Sequence, residues 1–444
     1  MIKRIFAFIF ISSLLLAAGS LTATELFKNL QQVNLTNGLK ILLLKDPSKP
    51  VVATQIWVKV GVWNETPALN GISHFIEHML FKGTVTRPVN VIQQEIESKG
   101  GVLNGATSKD FTYYHIALPS AYWDEAISIL ADMVQNANFD KLELAKERQV
   151  VLEEIKRQND EPYDYLWNNF NQRLFKKLPY KMHPLGTAQN LNSFTRDTLI
   201  QYYRMYYRPE YMTVVIVGDF NDKLVIKRIK QLFPEEPGQV LAPLPSPKVP
   251  TESSEGSEPQ EADLPFSVDL VYQVIGFLGP SLDDDDSYAM DVAATLLGQG
   301  QSSRLNQVLH EDKKLVYSVG AGFVSQKANG IFYVDSIYPP NRIPEATAGI
   351  LGEIWRLRGR DISDNELQKA KTMIETEFIM SNQTDDDKAA TLGFYATLTQ
   401  VELATQYLDR IDAVTKKDIA LALKKYLTAS YTSVLLNPAG QKEK

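Results

Sequence analysis

Five histidines occur in the 444 residues, and two of them, His74 and His78, stand four apart in Gly71-Ile-Ser-His-Phe-Ile-Glu-His-Met-Leu-Phe. On an α-helix, positions i and i+4 share a face, so both imidazoles can reach one ion. Glu77, three residues after His74, lies close to that face, where a carboxylate can take a proton from metal-activated water. The order H-x-x-E-H reverses the H-E-x-x-H of many zinc peptidases. An ordinary helix that happens to carry two histidines is the competing explanation. Against it, the segment is otherwise apolar and its three polar groups fall at metal-ligand spacing.

A catalytic zinc held by two imidazoles needs a third protein ligand, usually histidine or a carboxylate. Cysteine is absent from the chain, which removes thiolate ligands and disulfides alike. The segment Glu147-Arg-Gln-Val-Val-Leu-Glu-Glu-Ile-Lys places Glu147 and Glu154 seven apart. That is nearly two helical turns, so they share a face, while Glu153 points about a quarter-turn away. One of the aligned pair can ligate while the other orients a histidine from behind. Taken alone, this helix reads as a solvated charged face.

The elements around these residues form an α+β pattern. Val33 to Leu44 reads as two short strands about an Asn37-Gly38 turn, and Val51 to Val60 as a buried strand. Helices are expected over 71–81, 91–98, 119–137 and 140–158, with a strand over 104–118 and another over 214–218. Glu235 to Pro265 is dense in Pro, Ser, Glu and Gly and reads as a linker. A second unit follows: strand 266–277, helices 288–298 and 303–310, a strand pair 316–325 and 330–337, helices 345–356 and 365–380, a last helix ending near Leu427 and a closing strand at 431–435. Strand then helix at 52–60 and 71–81 parallels strand then helix at 268–277 and 288–297. The implied fold is two similar lobes, each a mostly antiparallel sheet packed with helices, arising by duplication, of which only the first kept a metal site.

The expected division is a signal peptide over 1–23, a zinc-binding domain over 24–235, a linker over 236–265 and a homologous non-metal domain over 266–440. Lys3 and Arg4 precede an apolar run from Ile5 to Ala18, and the small residues Gly19 and Ser20 follow. That is the form of a secretory signal, and the run falls short of the ~20 residues of a spanning helix. An uncleaved anchor is the alternative. No later stretch is apolar enough to span, so no stable membrane span is expected after cleavage. A secreted protein without cysteine suits a bacterial periplasm. The net charge of −7, from 53 acidic and 46 basic residues, argues against nucleic acid as the main partner.

With these motifs in view, the chain resembles the pitrilysin/insulinase family of inverted zincins, which includes the mitochondrial processing peptidases. That family places its glutamate ligand as far beyond the second histidine as Glu154 stands beyond His78, 76 residues. Gly100-Gly-Val-Leu-Asn-Gly-Ala-Thr resembles the family's G-G-x-x-N-A-x-T strand, with Gly105 for the usual alanine. Tyr202-Tyr-Arg-Met-Tyr-Tyr-Arg-Pro-Glu-Tyr-Met-Thr-Val-Val-Ile-Val-Gly-Asp resembles the motif that closes the family's lobe. The resemblance implies zinc on His74, His78 and Glu154, Glu77 as general base and Glu147 behind a histidine. It implies a half-size clam, two lobes rather than four, that works as a homodimer or as a heterodimer with a metal-free homologue. It also implies a substrate strand added to the sheet edge at Asn104 and Ala106. In the second lobe the family has an Arg and a Tyr seven apart that contact the bound peptide. Here His310 replaces the Arg and Tyr317 is kept, placed to donate to a developing oxyanion. The missing Arg favours supply by a partner subunit. His115 is expected to be a packing residue and His183 to make a local hydrogen bond.

The function expected is zinc-dependent hydrolysis of peptides or unfolded protein segments in a closed chamber. The alternative is a non-catalytic or substrate-binding subunit of a heterodimeric peptidase on the same scaffold, which would be expected to lack H-x-x-E-H. A third reading, a zinc hydrolase of non-peptide amides or esters, is open to a substrate panel.

Overall fold

The computed structural model describes residues 23–234, 252, 258–359 and 362–438. The expected signal peptide, apart from residue 23, and most of the expected linker lie outside them. Among the described residues no helix is long and apolar enough to cross a membrane.

The first sheet contains β1 (Gln31–Asn34), β2 (Lys40–Lys45), β3 (Val51–Val58), β4 (Val102–Thr107), β5 (Thr112–Pro119) and β6 (Met212–Gly218) in the order β1-β2-β6-β3-β5-β4. The second contains β7 (Gln260–Phe266), β8 (Val271–Leu278), β9 (Ser318–Val324), β10 (Ile331–Tyr338) and β11 (Thr432–Pro438) in the order β7-β11-β8-β10-β9. Leaving out β1, the two sheets match strand for strand. β2 runs parallel to β6 as β7 does to β11, and every other neighbouring pair is antiparallel. A shared order with its one parallel pair in the same place is what duplication of one unit leaves.

Two strand expectations are corrected. The stretch 104–118 is not one strand but the hairpin β4–β5, turned at 108–111. The linker does not run to 265, nor is 266–277 a single strand, because β7 begins at Gln260. Among the described residues β7 pairs with β11 alone, and an edge strand of this kind tolerates a polar sequence and Pro265, which has no N–H to donate.

The helix Ile72–Leu80 lays Ile72, Phe75, Ile76, Met79 and Leu80 against Ile41, Ile56, Tyr114 and Ile216 on one face of the first sheet. The opposite face, with Leu42, Leu44, Ala53, Trp57, Val215 and Val217, is covered by Ala389, Leu392 and Ala396 from a helix of the second half, Asp385–Leu398. The exchange is mutual. Helix Pro162–Leu174 of the first half places Leu166, Phe170 and Leu174 on Val274, Leu278, Val434 and Leu436 of the second sheet. Each lobe therefore completes its core with a helix from the other half of the chain.

The contact is closest at Gly393, where a β-carbon would stand 2.1 Å from the Trp57 indole nitrogen. Gly393→Ala is expected to destabilise the fold by about 1–3 kcal/mol, the usual cost of overpacking a filled core. Urea unfolding of the variant reads this directly, and an unchanged midpoint would contradict it.

Candidate metal centre

The helix that carries the histidines is fixed at its start. Gly71 adopts φ +96°, and a side chain there would bring a β-carbon to 2.7 Å from the Leu185 carbonyl oxygen. The buried Glu65 carboxylate accepts the backbone N–H groups of Gly71 at 2.9 Å and Ser73 at 3.0 Å. A carboxylate at this end satisfies orphan donors and complements the helix dipole. Burial still holds the Glu65 pKa above its ordinary value. Asn70 donates to Glu65 at 2.9 Å and to the His183 carbonyl at 2.8 Å, tying the helix start to a distant loop. Sequence reasoning missed Glu65, which sits in a loop and belongs to no motif pattern.

His74, His78 and Glu154 converge. One ligand atom from each lies within 4.8 Å of the other two. Glu154 Oε2 stands 3.8 Å from His74 Nε2 and 3.5 Å from His78 Nε2. These separations are long for hydrogen bonds. They are close to the roughly 3.3–3.6 Å between ligands bound at 2.0–2.2 Å around a tetrahedral ion. His74 adds a second sign. Its Nδ1 is buried without a hydrogen-bond partner, and it is Nε2 that stands toward Glu154. Burial, with the neighbouring His78 and His183, lowers its pKa to about 3, so the ring is neutral at pH 7, as a ligand must be. The donor set fits a metal such as zinc.

Glu147 and Glu154 take different places on the helix Lys141–Asp160. Glu147 Oε1 lies 2.8 Å from His78 Nδ1, and its Oε2 lies 2.7 Å from Lys82 Nζ. Accepting a hydrogen bond from His78 Nδ1–H leaves Nε2 as the lone-pair atom that faces Glu154. For His78, burial opposes protonation, but the Glu147 hydrogen bond and the charges of Glu77, Glu147 and Glu154 outweigh it and raise the pKa. Glu153 is exposed and turned away from the group.

Glu77 is 7% exposed, and the Thr107 hydroxyl donates to its Oε2 at 2.6 Å. Burial raises its pKa against the pull of that bond. Thr107 ends β4, the edge strand of the first sheet, so strand and helix are joined at this carboxylate. This bond spans 30 residues, a separation no local motif reveals. Asn104 and Ala106 lie exposed on the same strand. A recess of about 270 Å³ beside it is lined by Glu77, His78, Phe81, Leu103 and Asn104 among others.

Tyr317 and His310 are not brought to this group. Tyr317 is 62% exposed and precedes β9. His310 lies in the π-helical turn Asn306–Asp312 with its Nδ1 3.0 Å from the Val316 carbonyl oxygen. Among the described residues no hydrogen bond or ion pair joins either to His74, His78 or Glu154. His183 accepts the Leu185 N–H at 3.1 Å, the local bond expected of it. His115 does more than pack: its Nδ1 lies 3.0 Å from Asp386 on the helix that crosses from the other lobe.

Comparison with known proteins agrees with this architecture. Residues 40–188 match the model of Insulinase (Peptidase family M16), and residues 193–374 match that of the Peptidase M16 inactive domain. An uncharacterized zinc protease of Bacillus subtilis, YmxG, is 30% identical over 91% of this chain and 97% of its own length. A probable mitochondrial-processing peptidase subunit beta of Arabidopsis thaliana is 27% identical over 88% of this chain and 75% of its own. The crystal structure of a protease from Helicobacter pylori superimposes with a TM-score of 0.86 at 25% identity, covering 92% of this chain and 99% of that one. The chain with the His74–His78–Glu154 group thus belongs to the insulinase family, peptidase family M16.

Proposed function

We propose that the chain is a zinc peptidase that hydrolyses peptides or unfolded segments, with zinc on His74, His78 and Glu154 and Glu77 as general base. The observation that carries this reading is the convergence of the three ligand atoms beside a buried carboxylate. Zinc in such a site supplies Lewis acidity, making water a stronger acid and a carbonyl more electrophilic. The protein's own groups do the rest. Glu77 Oε2 is held by Thr107, which leaves Oε1 to take the proton of the attacking water and return it to the leaving amine. The outer edge of β4 offers backbone groups to an extended peptide, with Ala106 and Asn104, whose Oδ1 accepts the Gly105 N–H at 2.9 Å, beside its side chains.

Assembly belongs to the same reading. Tyr317 is exposed and among the described residues makes no hydrogen bond to Glu77, so in this reading it serves a reacting carbonyl across a dimer. The partner is a second copy or, with His310 in place of an arginine, a metal-free homologue. A relative whose name makes it one subunit of a processing peptidase supports this. The N-terminal segment supports export to a bacterial periplasm. A stable monomer with full activity in light scattering would contradict the assembly.

The test of the reading is digestion of a peptide panel by the purified mature chain. Cleavage is expected to stop with a chelator and return with zinc, and a chain that cleaves esters but no peptide would overturn it. Glu147→Gln is expected to weaken zinc binding by roughly 10- to 100-fold, the usual effect of removing the group that orients a ligating histidine. Competition with a chromophoric chelator measures this, and unchanged affinity would place Glu147 outside the centre.

A further inference from the structure

A cavity of about 420 Å³ lies in the second lobe, lined by Asp291 and Glu377 together with Phe323, Phe378, Tyr395 and Tyr407. It shares no residue with the recess beside Glu77. Its walls come from helices Asp286–Gly298, Asp364–Met380, Asp385–Leu398 and Glu402–Ala413 and from β9 and β10. Its size is that of a small-molecule site.

The chemistry of the lining is one-sided. Asp291 is half-buried and faces the cavity, and among the described residues its one hydrogen-bond partner is the Tyr407 hydroxyl, which donates at 2.9 Å. Glu377 is exposed and stands toward solvent. Among the described residues no lysine, arginine or histidine lines the cavity. Among the described residues no ion pair reaches either carboxylate. The Phe378 and Tyr407 rings stack at 5.0 Å and 24°, and Phe394 and Tyr395 meet at 5.4 Å.

A carboxylate set among aromatic rings with no cation beside it bears a desolvation cost that a bound cation would offset. Burial lifts the Asp291 pKa to about 7 against the Tyr407 hydrogen bond, and the Glu377 charge adds to the lift. A hard metal ion is a poor match, since it needs about six oxygen ligands and the walls offer mainly rings. Aromatic faces and a desolvated carboxylate together suit an organic ammonium, which takes both charge pairing and cation–π contact.

We propose that this second-lobe cavity binds an organic ammonium group, paired by Asp291 at its inner end and drawn in by Glu377. Phe378, Tyr395 and Tyr407 pack on its alkyl part. The ammonium is either a free amine or the lysine side chain of a peptide. The proposal uses no residue of the zinc-peptidase reading, and its test reads binding rather than hydrolysis, so either can fail without the other.

The test is calorimetric titration of the full chain with n-butylammonium, tetramethylammonium and the neutral counterpart n-butanol. A blocked tripeptide with lysine at its centre is compared with the same peptide carrying norleucine. The ammonium ligands are expected to bind at least about tenfold more tightly than their neutral counterparts. Asp291→Asn is expected to weaken them by roughly thirtyfold or more, as removal of one partner of a desolvated charge pair does. Glu377→Gln, at an exposed position that leaves the fold intact, is expected to weaken them by about two- to fivefold. If Asp291→Asn fails to fold, Glu377→Gln decides. Binding of both lysine peptide and free amine assigns the site to peptide side chains, and binding of the free amine alone assigns it to a small amine. Equal binding of butanol and butylammonium, no ammonium binding, or undiminished affinity in the folded variants would overturn the proposal.

Discussion

Glu77→Gln is expected to keep its zinc and lose peptide hydrolysis by about 10²-fold or more, the scale of a removed general base. The amide has nearly the shape of the carboxylate and still accepts the Thr107 hydroxyl, which donates at 2.6 Å in the native protein. It cannot take a proton. Because Glu77 is buried, no solvent carboxylate replaces it. The loss should fall on kcat with little change in KM, since the proton moves only in the reaction and the peptide is held by the β4 edge. Steady-state kinetics on one peptide, with zinc content measured in parallel, separates the cases. Near-normal turnover with zinc present would assign the base to another group.

The second large effect is on the metal itself. His74→Ala and His78→Ala are each expected to reduce zinc from about one ion per chain to near none, since a three-residue ligand set does not survive the loss of an imidazole. Glu154→Gln should weaken binding as well, because a neutral amide is a poorer ligand than a carboxylate. Glu153→Gln, exposed and turned away, should leave it intact. Metal analysis after dialysis against a weak chelator reads all four. Full zinc in both histidine variants would end the zinc reading.

Much of the centre was legible because helical spacing is simple. His74, Glu77 and His78 fall on one turn, and Glu147 and Glu154 on one face of a second helix. Which of the two glutamates joins the histidine pair was not legible from spacing, because seven residues make them equivalent. The resemblance chose Glu154. The geometry separates them: Glu154 faces both Nε2 atoms, while Glu147 takes the Nδ1 side of His78.

The contacts that hold the centre in place were not legible. Glu65 reaches the helix start from a loop, and Thr107 reaches Glu77 from a strand 30 residues on. Side-chain bonds across such separations leave no period in a sequence. The crossing helices Pro162–Leu174 and Asp385–Leu398 were also missed. A signal for them was present: β2, β3 and β6 run apolar nearly without alternation, the pattern of strands buried on both faces. The helix Ile72–Leu80 and its neighbours cover one face, so a second layer had to cover the other. In Asp385–Leu398 the covering residues include Ala389, Gly393 and Ala396, small side chains that give a weak apolar stripe yet allow the approach to Trp57.

The most direct measurement is anomalous diffraction at the zinc edge from crystals of the mature chain grown with zinc. The account predicts one strong peak bounded by His74 Nε2, His78 Nε2 and Glu154 Oε2, with Glu77 beside it and outside bonding distance. No peak among those atoms under zinc saturation, or a peak held by Glu147 in place of Glu154, would contradict it.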